Sequence, residues 1–151
     1  GHSKWDFSAG GFINNSIMEF IDYQHFNGSQ TFYLQQNFQS YNSIKQFSTL
    51  GYYSYSTDQA FLEGHLEHHF DGVFLSRIPF LRNSGVHTFA GVNYLYNFQN
   101  PQFAEFFFGI DNILDVLKVE IASSINNIND VRPTLLVGID FNYLYYLRNK
   151  R

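Results

Sequence analysis

Three side chains within five residues have the chemistry of a metal site or an acid–base site. His65, Glu67 and His69 alternate with Leu66 and His68, so on a β-strand the three would share one face. Imidazole and carboxylate groups suit zinc and other borderline metals. However, neighbouring same-face residues on one strand stand ~6.6 Å apart, so these three would need a ligand from another strand to share an ion. Metal binding is the weaker interpretation, and no cofactor is predicted.

The surrounding stretch, residues 59–72, has two chemically distinct faces. Phe61 and Glu63 fall on the face of the three candidate ligands, whereas the opposite face carries Leu62, Gly64, Leu66, His68 and Phe70. Three other stretches also place a long apolar face opposite small or ionisable residues. The clearest is 116–125, with Leu117, Val119, Ile121 and Ile125 opposite Lys118, Glu120, Ala122 and Ser124. This pattern predicts an all-β, antiparallel transmembrane β-barrel with an apolar exterior facing lipid and a polar interior.

In such a barrel the ionisable residues would form a hydrogen-bonded network, because side chains fill the interior of a narrow barrel. The predicted members of this network are Glu63, His65, Glu67, His69, Lys118, Glu120 and Asp140. The residues of 63–69 would then bond to Lys118, Glu120 or Asp140 across the lumen. A barrel closed by this chain alone would have no open channel. If the chain supplies part of a larger barrel, the same residues would line a channel or rest against a plug.

Composition agrees with strands that each have one polar face. Aromatic residues make up 20% of the 151 residues and charged residues only 15%, against about a quarter in typical soluble domains. Mean hydropathy is nevertheless -0.24, and no apolar run approaches the ~20 residues that a spanning helix needs. The net charge of -4 argues against a nucleic-acid partner. The chain has no cysteine, which excludes disulfides and thiolate metal sites, and Gly1-His2-Ser3 is unlike a secretion signal.

The alternation predicts about eight strands, most of them long enough to cross a bilayer when tilted by ~45°. The predicted segments are 5–11, 46–57, 59–71, 86–97, 103–111, 116–125 and 132–143, and Asn27-Gly28 is the turn of a hairpin (18–26 with 29–36) or of an extended loop. Pro79 breaks the pattern and predicts a turn or helical knob over 74–82. The chain 1–151 is therefore interpreted as a single barrel domain, or the C-terminal part of a larger barrel, with a basic tail at 144–151.

Tyrosines cluster where strands would cross the boundary between membrane and water. The predicted interface aromatics are Tyr52, Tyr53, Tyr55, Tyr94, Tyr96 and Tyr143. For the cluster in 46–57, an ordinary aromatic-rich strand is an equally good interpretation.

Four blocks resemble one family: HLEHHFDG at 65–72, FLSRIPFLR at 74–82, AGVNYLYN at 90–97 and FFGIDNIL at 107–114. It is the group of large bacterial outer-membrane proteins of unknown function that carry an N-terminal carboxypeptidase-regulatory-like β-sandwich. The resemblance falls at the C-terminal end of that family's barrel, and the sandwich itself has no counterpart in this chain. It implies a bacterial outer-membrane location, with the lipid bilayer, the barrel-assembly machinery and the remainder of a larger barrel as partners.

Two other classes of function stay open. A soluble lipocalin-like barrel that binds an apolar ligand would turn its apolar face inward, the reverse of the membrane arrangement. A small outer-membrane enzyme would need histidine, serine and aspartate to converge at one rim. The sequence has no Gly-x-Ser-x-Gly motif, phosphate loop or dinucleotide fingerprint, and combining Ser56, His87 and Asp140 would be arbitrary. Catalysis is therefore not expected.

Overall fold

Six antiparallel strands form a single sheet in a computed structural model that describes residues 1–13, 16–28, 45–70, 73, 75–77, 79, 85–114, 116–125 and 131–139. The strands are β1 (His2–Gly10), β2 (Phe61–His69), β3 (His87–Asn97), β4 (Phe103–Ile113), β5 (Leu117–Ile125) and β6 (Val131–Ile139). Short 3-10 helices occur at Phe20–Asp22 and Leu75–Arg77. No helix in these ranges is long and apolar enough to cross a membrane.

The strands pair strictly in chain order, so the sheet is a meander whose edges are β1 and β6. One row across it joins Trp5, Leu66, Val92 and Phe106 as successive register partners. A slip of one residue would move a strand's apolar side chains to the other face. The separation of apolar and polar side chains therefore specifies the register.

One face of the sheet, here called the outer face, exposes large apolar side chains on all strands but β3, whose outer side chains are half-buried or buried. The exposed ones are Trp5, Phe7, Leu62, Leu66, Phe106, Phe108, Ile121, Ile125, Leu135, Val137 and Ile139. The faces predicted for residues 59–72 and 116–125 are confirmed. A contiguous exposed apolar surface of this kind marks a site of contact with lipid or with another protein.

The opposite face, the inner face, is covered by residues 45–58, here called the inner segment. Phe47, Leu50 and Tyr55 of this segment pack with Phe26, Leu95 and Phe103 in one buried cluster. A second cluster on the inner face consists of Phe89, Phe107 and Ala122. The first cluster therefore lies between the inner segment and the sheet, whereas the second is formed by sheet residues alone.

Glycines in β3 and β4 make room for aromatic rings on the inner face. Gly91 lies opposite Phe107, and Gly109 lies opposite Phe89. A Cβ atom at Gly91 would stand 2.3 Å from the Leu66 carbonyl oxygen and 2.3 Å from Phe107 Cζ. Each ring therefore occupies the space that a side chain on the partner strand would need.

We expect Gly91→Ala to lower the free energy of unfolding by ~1–3 kcal/mol, the usual cost of overpacking a core. Chemical denaturation followed by the fluorescence of Trp5 measures this loss. Gly11→Ala is the control, because its Cβ would come no closer than 3.3 Å to any atom of Ala60. An unchanged midpoint for Gly91→Ala would contradict the close packing described above.

Three predictions about the elements need correction. The described residues form six strands rather than about eight, and the sheet they form is open, with β1 and β6 unpaired to each other. Residues 46–57 are not a strand, because a turn closed by the Ser54 N–H to Gly51 carbonyl bond (3.1 Å) and the positive φ of Tyr53 (63°) interrupt them. Part of 18–26 is a 3-10 helix, and only Gln24 makes a β-bridge, to Thr57. Residues 29–36 and 144–151 lie outside the described ranges.

Candidate functional site

The inner face brings together the acids and histidines of β2. Alternation places Glu63, His65, Glu67 and His69 on this face; His65 is 1% exposed, Glu67 5% and His69 7%. Neighbouring strands add further buried polar side chains: Asp6, Asn93, Asn97, Glu105, Asp111, Glu120 and Ser124. Burying so many polar groups is favourable only when they pair with one another.

His65 lies between two oxygen acceptors. Its Nε2 is 2.9 Å from Glu63 Oε1, and its Nδ1 is 2.9 Å from Asn93 Oδ1. The Phe47 ring stacks at a tilt on the imidazole, with centroids 4.8 Å apart. Both ring nitrogens therefore have a hydrogen-bonding partner in this structure.

His69 joins a second group of ionisable residues nearer the other end of the strand. Its Nε2 is 2.7 Å from Glu67 Oε1, and its Nδ1 is 3.6 Å from Asp111 Oδ2. Asp111 also lies 3.6 Å from Nδ1 of His87, and the His2 ring stacks on His69 at 4.7 Å. The hydrogen bond to Glu67 and the ring stacking on His2 hold His69 in this group.

The predicted metal candidate is not supported by this geometry. Among the described residues, no group of three or more histidine, aspartate or glutamate side chains is arranged to hold an ion. His65 and His69 each bond to the preceding acid of their own strand instead of converging with Glu67 on one point. The arrangement is a polar network, the interpretation that strand geometry favours.

The network's partners differ in part from those predicted, although Lys118 does interact electrostatically with Glu67. Lys118 and Glu120 pair with each other at 3.1 Å, and the Lys118 ammonium lies 4.3 Å from the centre of the Phe89 ring. Lys4 approaches Glu67 at 3.7 Å. The histidines contact Asn93 and Asp111 rather than Lys118 or Glu120, because those residues lie on the nearer strands. Asp140 falls outside the described ranges.

Glu105, which the network prediction omitted, binds the inner segment most extensively. Its carboxylate is fully buried and accepts hydrogen bonds from Ser48 N (2.8 Å), Thr49 N (2.6 Å), Thr49 Oγ1 (2.5 Å) and Asn93 Nδ2 (2.8 Å). Two successive backbone N–H groups pointing at one carboxylate compensate for its desolvation. The only sequence signal for it was its inward position in the alternation of 103–111.

Five consecutive residues of the inner segment contact five strands. Lys45 pairs with Asp6 of β1 (3.2 Å), and Phe47 packs on His65 of β2. The Gln46 carbonyl accepts a hydrogen bond from Asn93 of β3 (3.1 Å). Ser48 and Thr49 reach Glu105 of β4, and the Ser48 hydroxyl donates to Glu120 of β5. Each of residues 45–49 thus makes its own contact with the inner face.

The predicted interface aromatics fall into different environments. Tyr52 and Tyr53 are exposed at the turn of the inner segment, and a side-chain hydrogen bond between them raises the pKa of Tyr53. Tyr55 does not lie at an exposed boundary as predicted, because it is buried against Phe103. This burial raises the pKa of Tyr55. Tyr94 and Tyr96 are half-buried on the outer face of β3. Tyr143 lies outside the described ranges.

The serine and histidine considered for catalysis are not paired with each other. Ser56 Oγ lies 2.7 Å from Nδ1 of His25, whereas His87 approaches Asp111. Ser56 also donates to the Tyr53 carbonyl, which ties it to the turn of the inner segment. Ser56 therefore contacts a different histidine from the one considered with it in the sequence.

Comparison with known proteins gives one family match. A model of the C-terminal domain of a family of unknown function (DUF5686) matches residues 1–110. That range contains β1 to β3 and most of β4, with the inner segment and Glu105. Comparisons with curated proteins and with solved structures give no match.

Proposed function

Because this chain belongs to the DUF5686 family of unknown function, through its C-terminal domain, we propose that it forms the wall of a bacterial outer-membrane β-barrel. Its role there is structural, or linked to barrel assembly or transport, and not catalytic. Its partners are the lipid bilayer, the barrel-assembly machinery during insertion, and the remainder of a larger barrel.

The observation that carries this proposal is the distribution of polarity between the two faces. Leu135 is 65% exposed and Val137 61% on the outer face, whereas Glu105 on the inner face is fully buried. A soluble sheet normally covers its apolar face and hydrates its charged one. Lipid contact reverses that preference, because hydrocarbon favours apolar side chains and gives no hydrogen bonds to charged ones. A lipocalin-like barrel would need the opposite arrangement.

The covered inner face favours a closed wall over an open pore. The inner segment lies across β1 to β5, and its contacts combine an apolar cluster with the bonds to Glu105. A wall whose interior is filled in this way excludes free diffusion through it. Transport would then require movement of the inner segment.

The only tryptophan of the chain offers a direct test of lipid contact. Trp5 is 65% exposed on the outer face. In lipid vesicles we expect its emission to shift to shorter wavelength and to be quenched by phospholipids brominated on their acyl chains, because those bromines lie in the hydrocarbon region. Acrylamide, which stays in water, should quench it weakly. Strong acrylamide quenching without bromine quenching, from protein that co-floats with the vesicles, would contradict a lipid-facing outer surface.

A further inference from the structure

The inner face holds residues 46–49, which bend at Ser48 and Thr49, through contacts of the kind that recognise a short peptide ligand. Peptide recognition commonly combines hydrogen bonds to the ligand's main chain, which give affinity, with pockets for particular side chains, which give specificity. Both kinds of contact are present here, and both come from side chains of the sheet.

Two side chains of the sheet form hydrogen bonds with the main chain of residues 46–49. Glu105 accepts the N–H groups of Ser48 and Thr49 at 2.8 and 2.6 Å, and Asn93 donates to the Gln46 carbonyl at 3.1 Å. Asn93 also donates to Glu105 at 2.8 Å, so the two side chains fix each other's orientation. Together, Glu105 and Asn93 bind two N–H groups and one carbonyl group of residues 46–49.

The side-chain contacts select residue types. The Phe47 ring is completely buried and meets His65 and Phe103, with centroids 4.8 and 5.5 Å away. The Ser48 hydroxyl donates to Glu120, and the Thr49 hydroxyl donates to Glu105. The site thus fits an aromatic residue followed by two residues with hydroxyl groups.

We propose that this part of the inner face is a peptide-binding site, occupied here by the chain's own residues 46–49. The ligand class is a short peptide with an aromatic residue followed by two residues with hydroxyl groups, bent at those two residues as Ser48 and Thr49 are. A tethered occupant competes at an effective concentration of about millimolar. A free peptide therefore binds measurably only after the chain's own occupant has been weakened.

The test uses a fluorescent peptide with the sequence of residues 45–51, Lys-Gln-Phe-Ser-Thr-Leu-Gly. Fluorescence anisotropy measures its binding to the Phe47→Ala chain in detergent, where the readout does not depend on whether the protein crosses a membrane. We expect saturable binding to Phe47→Ala and little to the unmodified chain. A peptide with alanine in place of the phenylalanine should bind at least about tenfold more weakly.

The double variant Phe47→Ala/Glu105→Gln tests the main-chain contacts, because the two N–H groups bond to different oxygens of Glu105, and glutamine replaces one of these oxygens with an NH2 donor. It too should lose about tenfold in affinity. Circular dichroism establishes that each variant is folded, and Thr49→Ala replaces Phe47→Ala if the latter is not. Equal binding of both peptides, or no binding to a folded weakened chain, or equal binding to the unmodified chain, would overturn the proposal.

Discussion

Replacing Glu105 with alanine is expected to lower the free energy of unfolding by about 3–5 kcal/mol. The substitution leaves the half-buried N–H groups of Ser48 and Thr49 and the buried Asn93 amide without the acceptor that they share. Each buried donor left unsatisfied costs about 1–3 kcal/mol, and partial relaxation of the inner segment keeps the total below the sum. Denaturant unfolding in detergent, followed by Trp5 fluorescence and by circular dichroism, measures the loss.

Glu63→Ala is the matched control for this experiment. Glu63 also sits on the inner face and contacts Ser8 and His65, but it is only half-buried and binds no part of the inner segment. The substitution leaves one buried ring nitrogen, His65 Nε2, without its partner, against three donors for Glu105, so the expected loss is about 1–2 kcal/mol. Equal losses for the two variants would show that the inner segment does not depend on Glu105.

Ile121→Lys is expected to prevent stable insertion into membranes. Ile121 lies on the outer face of β5, 56% exposed, between Phe108 and Leu135 in the register. At the middle of a bilayer a lipid-facing lysine costs ~2–4 kcal/mol. On a surface in water the same exchange normally changes stability by less than ~0.5 kcal/mol. The measurement is the fraction of protein that co-floats with lipid vesicles after refolding.

Thr134→Lys is the control for Ile121→Lys, because Thr134 is half-buried on the inner face two strand positions from Leu136. A lysine there stays out of the hydrocarbon, so we expect most of the protein still to float. If Ile121→Lys floats as well as the unmodified chain, the outer face is not embedded in lipid.

The division of residues between the two faces was predictable because it depends on one local rule. Residues two apart on a strand share a face, so the side chains of 59–72 and 116–125 could be divided between two faces without any knowledge of their neighbours. The same rule placed the acids and histidines of β2 on one face. The partners of His65 and His69 on other strands, Asn93 and Asp111, could not be assigned, because register between strands depends on contacts distant in the sequence.

The inner segment was mispredicted as a strand for a related reason. Residues 46–57 are rich in tyrosine, serine and threonine, and the aromatic and β-branched residues among them favour strands. In the folded chain, Ser48 and Thr49 give their N–H groups to Glu105 instead of to a neighbouring strand. A bond to an acid more than fifty residues away leaves no periodic trace in the sequence, so tertiary contacts overrode local propensity here.

The even number of strands in the meander has a consequence for its two edges. With six strands alternating in direction, β1 and β6 run opposite ways. Any strands inserted between these edges to complete an antiparallel ring must therefore come in pairs, since an odd number would force one parallel junction. Known bacterial single-chain barrels start at eight strands, so two is the smallest addition that reaches that size. Completing this wall as an antiparallel ring therefore takes an even number of further strands.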